Sequence, residues 1–421
     1  MRNADYFKDK RITVVGCARS GGACANLLQR LGARVSVTDN ATDPVVQRQA
    51  RSVLSSGIAV EFGVHTPGFV SGADMVVISP GVPDTAAPIR WARERSIPIV
   101  SEIEVAWMLC PAPVIAVTGS NGKTTTTTLI GRVLAAAGKK TFVCGNIGTP
   151  FTGEVGSIQP QDWVVLEISS FQLEHIRTFK PKIALILNIN PNHLDRYPGM
   201  REYAAAKERI ALNQDATDFL VLNAGDSALK EIASRARAPK AVYFTGSPRR
   251  NQNQAAVEAV ASILGIAPAV CAQVFDDFKG IEHRMEMVRQ INRISFINDS
   301  KATTVESAVW ALQNLACPVV LIAGGRDKGL DYRPILELAR QKVKRVILIG
   351  EARAKIRAAL SDALSVQEAG SLEEAVAQAY RAAAPGDCVL LSPMCASYDM
   401  FKDYEERGRK FKQAVLALNG E

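Results

Sequence analysis

Short, continuous apolar runs recur along the chain, among them RITVVG, ARVSVTD, DMVVISP, VIAVTG, DWVVLEIS, KIALILNI, FLVLNA, VVLIAGG, RVILIG and CVLLSP, with helical stretches between them. A strand that is apolar at successive positions has both faces covered, and strands alternating with helices build parallel sheets. The pattern predicts an α/β protein. It breaks twice, near Ser101 to Pro113, where Pro111-Ala112-Pro113 precedes a new strand, and near Phe278 to His283 after a helical stretch. At roughly 150 residues per domain, a chain of 421 residues fits about three domains. The expected division is 1–101, 102–280 and 281–421. No repeat of solenoid period interrupts it.

Composition narrows the class. Apolar residues at 47% and charged residues at 22% are the balance of a folded chain without extended disorder. Lys and Arg exceed Asp and Glu by 50 to 42, a surplus spread along the chain, which suits phosphorylated small molecules as well as nucleic acid. Aromatics at 6% without basic-aromatic interleaving argue against a nucleic-acid partner. The opening segment Met1 to Arg11 has no apolar stretch behind a basic cap, and runs such as Ile183 to Leu187 are too short to cross a bilayer, so neither a secretory signal nor membrane insertion is expected. Eight scattered cysteines without a C-x-x-C pair read as reduced thiols in the cytoplasm. Four histidines without H-x-x-H argue against a zinc site.

The candidate chemistry lies at strand ends. After RITVVG, the turn Gly16-Cys-Ala-Arg-Ser20-Gly21-Gly22 leads into a helix, and the next strand ends at Asp39. Such a turn seats a diphosphate, and the acid takes a ribose or base edge. Ala18 stands where a dinucleotide fingerprint needs its second glycine, which counts against a dehydrogenase. Ser79-Pro-Gly81 lies at the same sheet edge and would form another wall. The strongest signal is VIAVTGSNGKTTTTT: backbone N–H groups from Ser120 through Asn121, Gly122 and Lys123 to Thr124 would cradle phosphates, with Lys123 on the β/γ-phosphates and the Thr124 hydroxyl on Mg²⁺. Val117 replaces the first glycine of the strict pattern, yet T-G-S-N-G-K-T remains specific. Glu167, at the end of DWVVLEIS, is placed for a second Mg²⁺ ligand. His193, in the loop after KIALILNI, and Lys207, on a following helix, complete the middle third.

Together T-G-S-N-G-K-T at 118–124, E-I-S-S-F-Q-L-E at 167–174, H-L-D-R-Y at 193–197 and N-D-S-K-A-T at 298–303 resemble the Mur ligases. The segment L-S-P-M-C-A-S-Y-D-M-F-K-D-Y-E-E-R-G at 391–408 resembles the D-glutamate-adding branch, and the likeness covers essentially the whole chain. The resemblance implies an N-terminal Rossmann-like domain for a UDP-sugar, a central ATPase domain and a C-terminal Rossmann-like domain for ATP and the incoming amino acid. It implies an ATP- and Mg²⁺-dependent amide ligase of peptidoglycan precursor synthesis, joining D-glutamate to UDP-N-acetylmuramoyl-L-alanine through an acyl phosphate. A monomer is expected.

Carried over by position, Lys123 resembles the family's phosphate lysine, Thr124 and Glu167 its Mg²⁺ ligands, and Lys207 the lysine carried as a metal-binding carbamate. Asn146 and His193 resemble contacts to the muramoyl-alanine end and the second metal, with Gly16, Ser20, Gly21, Asp39, Ser79, Gly81 and Ser169 completing the UDP-substrate set. Thr125, Asn251, Arg284 and Asp299 join the phosphate loop toward ATP, and Lys301 joins the catalytic set. Thr303, Lys328, Ser397 and the backbone at Tyr404 resemble the positions that grip D-glutamate. The chain departs from the family at four places. Asn192 replaces an acid before H-L-D-R-Y, Gln254 replaces the second asparagine of the adenine-side pattern, Phe244 runs almost directly into Asn251 where relatives carry an insertion, and Asn40 stands where a basic residue is usual. A ligase of the same superfamily for another amino acid, or for folate, is the nearest alternative, although no D-N-P-R motif is present. A nucleotide-binding regulator without catalysis is the alternative from a different class.

Overall fold

The computed structural model describes residues 1–190, 196–235, 240–327 and 329–418. The chain forms two compact units, Met1–Phe278 and Lys279–Glu421. In the first, β1 (Arg11–Val15), β2 (Arg34–Asp39), β3 (Ala59–Phe62), β4 (Met75–Ile78) and β5 (Ile99–Ser101) make a parallel sheet in the order β3-β2-β1-β4-β5. A second parallel sheet follows from β6 (Val114–Thr118), β7 (Thr141–Gly145), β8 (Trp163–Glu167), β9 (Ile183–Ile186), β10 (Phe219–Asn223) and β11 (Lys240–Phe244), in the order β11-β10-β9-β6-β8-β7.

Along β6 the side chains alternate between two cores, as strand geometry requires. Val114 and Ala116 join a cluster that continues into the first sheet, whereas Ile115 and Val117 join the helices on the opposite face. The shared cluster makes the first two sheets one compact unit. Helix Glu102–Leu109 runs between β5 and β6 and carries two buried carboxylates. Glu104 accepts the amides of Arg177, Thr178 and Phe179 at 2.9, 2.7 and 3.1 Å, so its charge is met by backbone dipoles. Glu102, wholly buried, has only neutral partners: Gln172 Nε2 at 3.1 Å and the Thr152 hydroxyl at 3.4 Å. Burial, the largest influence, pushes its carboxyl up to about 7.

The second unit has β12 (Glu286–Ile291), β13 (Ile294–Asn298), β14 (Val319–Gly324), β15 (Val343–Ile349), β16 (Val366–Glu368) and β17 (Cys388–Leu391) in the order β12-β13-β17-β14-β15-β16. All pairs are parallel except β12–β13, a hairpin closed by Asn292 and Arg293, both at positive φ (49° and 61°). Two left-handed residues in succession match the twist of a hairpin. The sheet is buried on both faces by separate apolar clusters.

The ten apolar runs all become strands. The sequence pattern does not show β3, β5, β7, β11, β12, β13 and β16, most of them at sheet edges, where half-exposed positions break the apolar run. All eight cysteines are free thiols.

Candidate active site

In the first unit the predicted residues gather at the carboxyl ends of β6, β8 and β9, which are neighbours in the second sheet. This is the edge where open parallel sheets bind ligands. The loop between β6 and helix Lys123–Ala136 turns at Gly119 (φ 150°) and Gly122 (φ 81°). The left-handed conformation demands glycine at Gly122, where a Cβ would also lie 2.4 Å from Asn253 Oδ1 and push that side chain aside. The loop is pinned from β9. Ser120 N donates to Asn188 O at 3.0 Å, Asn121 N donates to Asn188 Oδ1 at 2.9 Å, and the Ser120 hydroxyl lies 2.9 Å from Asn190 O and 3.0 Å from the Tyr203 hydroxyl.

Two lysine side chains meet on this loop. Lys123 Nζ donates to Gly119 O at 2.8 Å and Ser120 O at 2.9 Å, while Lys207 Nζ reaches the same Gly119 carbonyl at 3.0 Å. Lys207 is only 2% exposed, lies 4.5 Å over the Tyr203 ring, and titrates well below the usual lysine range because of burial and then the Lys123 charge. Thr124 opens the helix and is buried beside Lys123; Thr125 follows, half-buried.

Glu167 ends β8, also 2% exposed. Its Oε1 accepts Asn146 Nδ2 at 2.8 Å, whereas Oε2 is buried and meets no donor among the described residues. An ionised oxygen in that position calls for a cation. Together with the Thr124 hydroxyl, the donor set is all oxygen and suits Mg²⁺. Ser169 closes a capping box with Gln172, which in turn donates to Glu102. His193 lies outside the described residues, as does Asn192.

At the first sheet, Gly16 (φ 92°) accepts the Ser79 hydroxyl at 2.9 Å, and a Cβ on Gly21 would fall 1.9 Å from Gly16 O. Helix Arg19–Arg30 therefore starts directly against the turn, with Ser20 in its first turn, no side-chain cap and its amide end at the carboxyl edge of β1. Asp39 uses Oδ2 for Cys17 N (2.6 Å) and Oδ1 for Ala41 N (2.8 Å), so it shapes the turn, with further lone pairs for a hydroxyl. Gly81 is exposed two residues after Ser79.

Motif residues whose roles the sequence does not indicate bind these loops together. Arg196 donates to Pro80 O and Val82 O, both at 3.0 Å, and lies 3.9 Å over the Phe171 ring. Phe171 stacks on Tyr197, whose hydroxyl donates to Glu174. Arg196 and Tyr197 stand inside H-L-D-R-Y, and Tyr203 precedes Lys207 by one helical turn, a spacing that signals a shared face. On the adenine side, Asn251 caps helix Gln252–Ile263 in a capping box with Gln254. Asn253 instead lies at the phosphate loop, accepting the Thr126 hydroxyl at 3.3 Å. The paired Ser247 and Arg250 make the tight turn that brings the chain from β11 into this helix.

In the second unit the loops after β13, β14 and β17, adjacent strands, converge. Asp299 is 4% exposed and accepts Met285 N at 3.2 Å and the Ser392 hydroxyl at 3.1 Å; burial, outweighing the nearby Arg284 charge, pushes it up to about 6. Arg284 lies over Trp310, between His283 (φ 64°) and Met285 (φ 45°). With Met394 (φ 61°) these are non-glycine residues in the left-handed region, the kind of strain that gathers at functional loops. Lys301 N donates to His283 O at 3.1 Å, and Thr303 follows, half-buried. Ser397 is 2% exposed, and Tyr404 accepts the Ser300 hydroxyl through its carbonyl at 2.8 Å. Lys328 lies outside the described residues. Glu282, His283 and Glu286 also cluster, but Lys412 Nζ already lies 2.8 and 2.9 Å from the two glutamates.

Three family descriptions match in succession: the Mur ligase MurD-like N-terminal domain over residues 10–101, the Mur ligase middle domain over 117–265 and the Mur ligase glutamate ligase domain over 283–395. A UDP-N-acetylmuramoylalanine–D-glutamate ligase of Geotalea daltonii is 41% identical, the match covering 98% of this chain and 99% of the relative. The chain belongs to the Mur ligase family. A second ligase of that name, from Koribacter versatilis, is 40% identical over 98% of each chain. Among solved structures, a UDP-N-acetylmuramate–alanine ligase of Thermotoga maritima matches with a TM-score of 0.58 at 20% identity, over 97% of this chain and 99% of that one. A MurF ligase from the same organism, in complex with ADP, matches at 0.54 and 14% identity, over 99% and 97%. These two share the Mur ligase fold.

Proposed function

We propose that this chain joins D-glutamate to UDP-N-acetylmuramoyl-L-alanine at the expense of ATP, in the cytoplasmic synthesis of peptidoglycan precursors. The observation that carries this reading is full-length similarity to D-glutamate ligases together with a phosphate loop, a buried carboxylate and a buried lysine at one sheet edge. The substrates are small molecules, no nucleic acid is involved, and the chain works as a monomer. Its three functional parts are 1–101 for the UDP-sugar, 102–280 for ATP and 281–421 for the amino acid.

A carboxylate is a poor electrophile. Its oxygen attacks the γ-phosphorus of ATP, ADP leaves, and the acyl phosphate formed carries a good leaving group. The D-glutamate ammonium releases a proton to solvent, the free amine attacks the acyl carbon, and the tetrahedral intermediate loses a second proton from nitrogen to solvent as it collapses with expulsion of phosphate. The amides of Ser120 and Asn121, expected in the cradle, are instead given to Asn188, so Lys123 and the amides of Gly122 to Thr124 hold the phosphates in line and offset the charge on the transferring group. Asn146 orients Glu167. Thr124, Glu167 and Lys207 as a carbamate, with His193, would hold Mg²⁺. When bound, the metal neutralises phosphate charge. Lys207 is suited to the modification because its burial and the neighbouring Lys123 favour the neutral amine, which adds to CO₂ and releases a proton. Asn251, Arg284 and Asp299 serve ATP, Lys301 assists at the reacting phosphate, and Thr303, Lys328, Ser397 and Tyr404 hold the dicarboxylate. Gly16, Ser20, Gly21, Asp39, Ser79, Gly81 and Ser169 serve the UDP-sugar.

The test is phosphate release with ATP, Mg²⁺ and UDP-N-acetylmuramoyl-L-alanine, adding D-glutamate, L-glutamate, meso-diaminopimelate or no amino acid. Release that depends on D-glutamate is expected. Release with another acceptor, or with none, would overturn the substrate assignment.

A further inference from the structure

Arg407, in the first turn of helix Tyr404–Leu416, is fully buried yet forms no ion pair among the described residues. Its guanidinium is spent on four neutral oxygens. Nε donates to the Ser300 hydroxyl at 3.0 Å and one Nη to the Ser300 carbonyl at 2.9 Å. The other Nη donates to the carbonyls of Cys395 and Ala396 at 3.1 and 3.3 Å. A third loop closes on the same group. A Cβ on Gly325 (φ 137°) would sit 3.1 Å from that Nη and 2.2 Å from Ala396 O, and Arg326 N donates to Ala396 O at 2.9 Å. One cation therefore ties the loops after β13 and β17, and the loop after β14 packs against it. Burying a guanidinium without a carboxylate is expensive, and a salt bridge is not what it gains here. The neighbouring Asp399 lies beyond ion-pair distance: one of its oxygens accepts Glu351 N at 2.9 Å, while the other is buried and meets no donor among the described residues.

We infer that Arg407 is the positioning residue of the amino-acid site, setting the Ser397 and Ser300–Thr303 segments for an incoming dicarboxylate. This rests on the D-glutamate reading above. Because a peptide unit is planar and trans, fixing the carbonyls of Cys395 and Ala396 on the guanidinium turns the N–H groups of Ala396 and Ser397 to the opposite side. Holding Ser300 by both its hydroxyl and its carbonyl fixes the start of the Lys301–Thr303 segment in the same way. Lysine cannot reproduce this, since a single ammonium lacks the planar fork that reaches acceptors on two loops.

The experiment is steady-state kinetics on Arg407→Lys and Arg407→Gln, with KM measured separately for D-glutamate and ATP. A displaced clamp is expected to raise the D-glutamate KM about tenfold or more while the ATP KM stays within about threefold. Ser300→Ala, which removes the Nε acceptor together with the donor to the Tyr404 carbonyl, is expected to raise the D-glutamate KM by about threefold and serves if the Arg407 variants do not fold. Unchanged D-glutamate KM in soluble variants overturns the inference. A wild-type enzyme whose phosphate release ignores D-glutamate overturns the functional reading instead, so the two failures are distinguishable.

Discussion

Glu102→Gln should change how stability depends on pH. The folded carboxyl is pushed up to about 7 from 4.5. A raised folded value means that the protonated form is the one the fold accommodates. The contribution is therefore complete below the unfolded value and is lost as pH rises through 7. The difference of about 2.5 pH units corresponds to about 3 kcal/mol at 1.36 kcal/mol per unit. Glutamine keeps the shape and an oxygen toward Gln172 Nε2, but it does not ionise. Between pH 5 and 8 the wild-type protein should lose about 2–3 kcal/mol relative to the variant, or about 5 °C in midpoint at roughly 2 °C per kcal/mol for a unit of this size. The assay is a series of thermal melts of both proteins across that range. The nearby thiols of Cys24 and Cys144 are pushed well above their usual range and stay neutral throughout. Asp299, in the other unit, titrates equally in both proteins. Midpoints that stay parallel within about 1 °C from pH 5 to 8 would refute the claim that burial of this carboxylate opposes folding.

Other substitutions probe the phosphate loop and the amino-acid site. Lys123→Ala should lower kcat by about a thousandfold or more, because the cation offsetting charge on the transferring phosphoryl is gone; near-wild-type turnover would remove the lysine from that role. Gly122→Ala combines a left-handed backbone with a contact at 2.4 Å to Asn253 Oδ1, and is expected to cost about 1–3 kcal/mol. It should also weaken ATP binding, checked by melting and by nucleotide titration. Ser397→Ala should raise the D-glutamate KM with little change for ATP, read from paired saturation curves.

How much of this was legible in the sequence depended on whether a residue's role was local. The apolar runs specify the central strands because being buried on both faces leaves no polar position in them, as in Val114–Val117. Edge strands such as Val366–Glu368 carry exposed polar residues and leave no such trace. The glycines and Lys123 could be read because turn, cradle and charge sit within a few positions. Arg407 could not, since its partners are 107 residues away at Ser300 and 11 to 12 residues away at Cys395 and Ala396, and only folding shows that its charge goes to carbonyls. The same holds for Arg196, which reaches Pro80 across 116 residues. Asn251 illustrates the opposite difficulty. Its sequence context suggests a nucleotide contact, while its side chain caps a helix and Asn253, two positions on, meets the loop.

The Lys123 ammonium, already bonded to the carbonyls of Gly119 and Ser120, gives the loop a selectivity of its own. Any nucleotide that draws the lysine away must replace both bonds. Oxygens of a β- or γ-phosphate do so with bonds in which the acceptor as well as the donor is ionised, whereas the acceptors in the two resting bonds are neutral carbonyls. A nucleoside or monophosphate that reaches the cradle without its tail leaves the lysine where it is and gains nothing from it. Discrimination among adenine nucleotides by tail length is thus built into the loop's own hydrogen bonds, before any contact with base or ribose is counted.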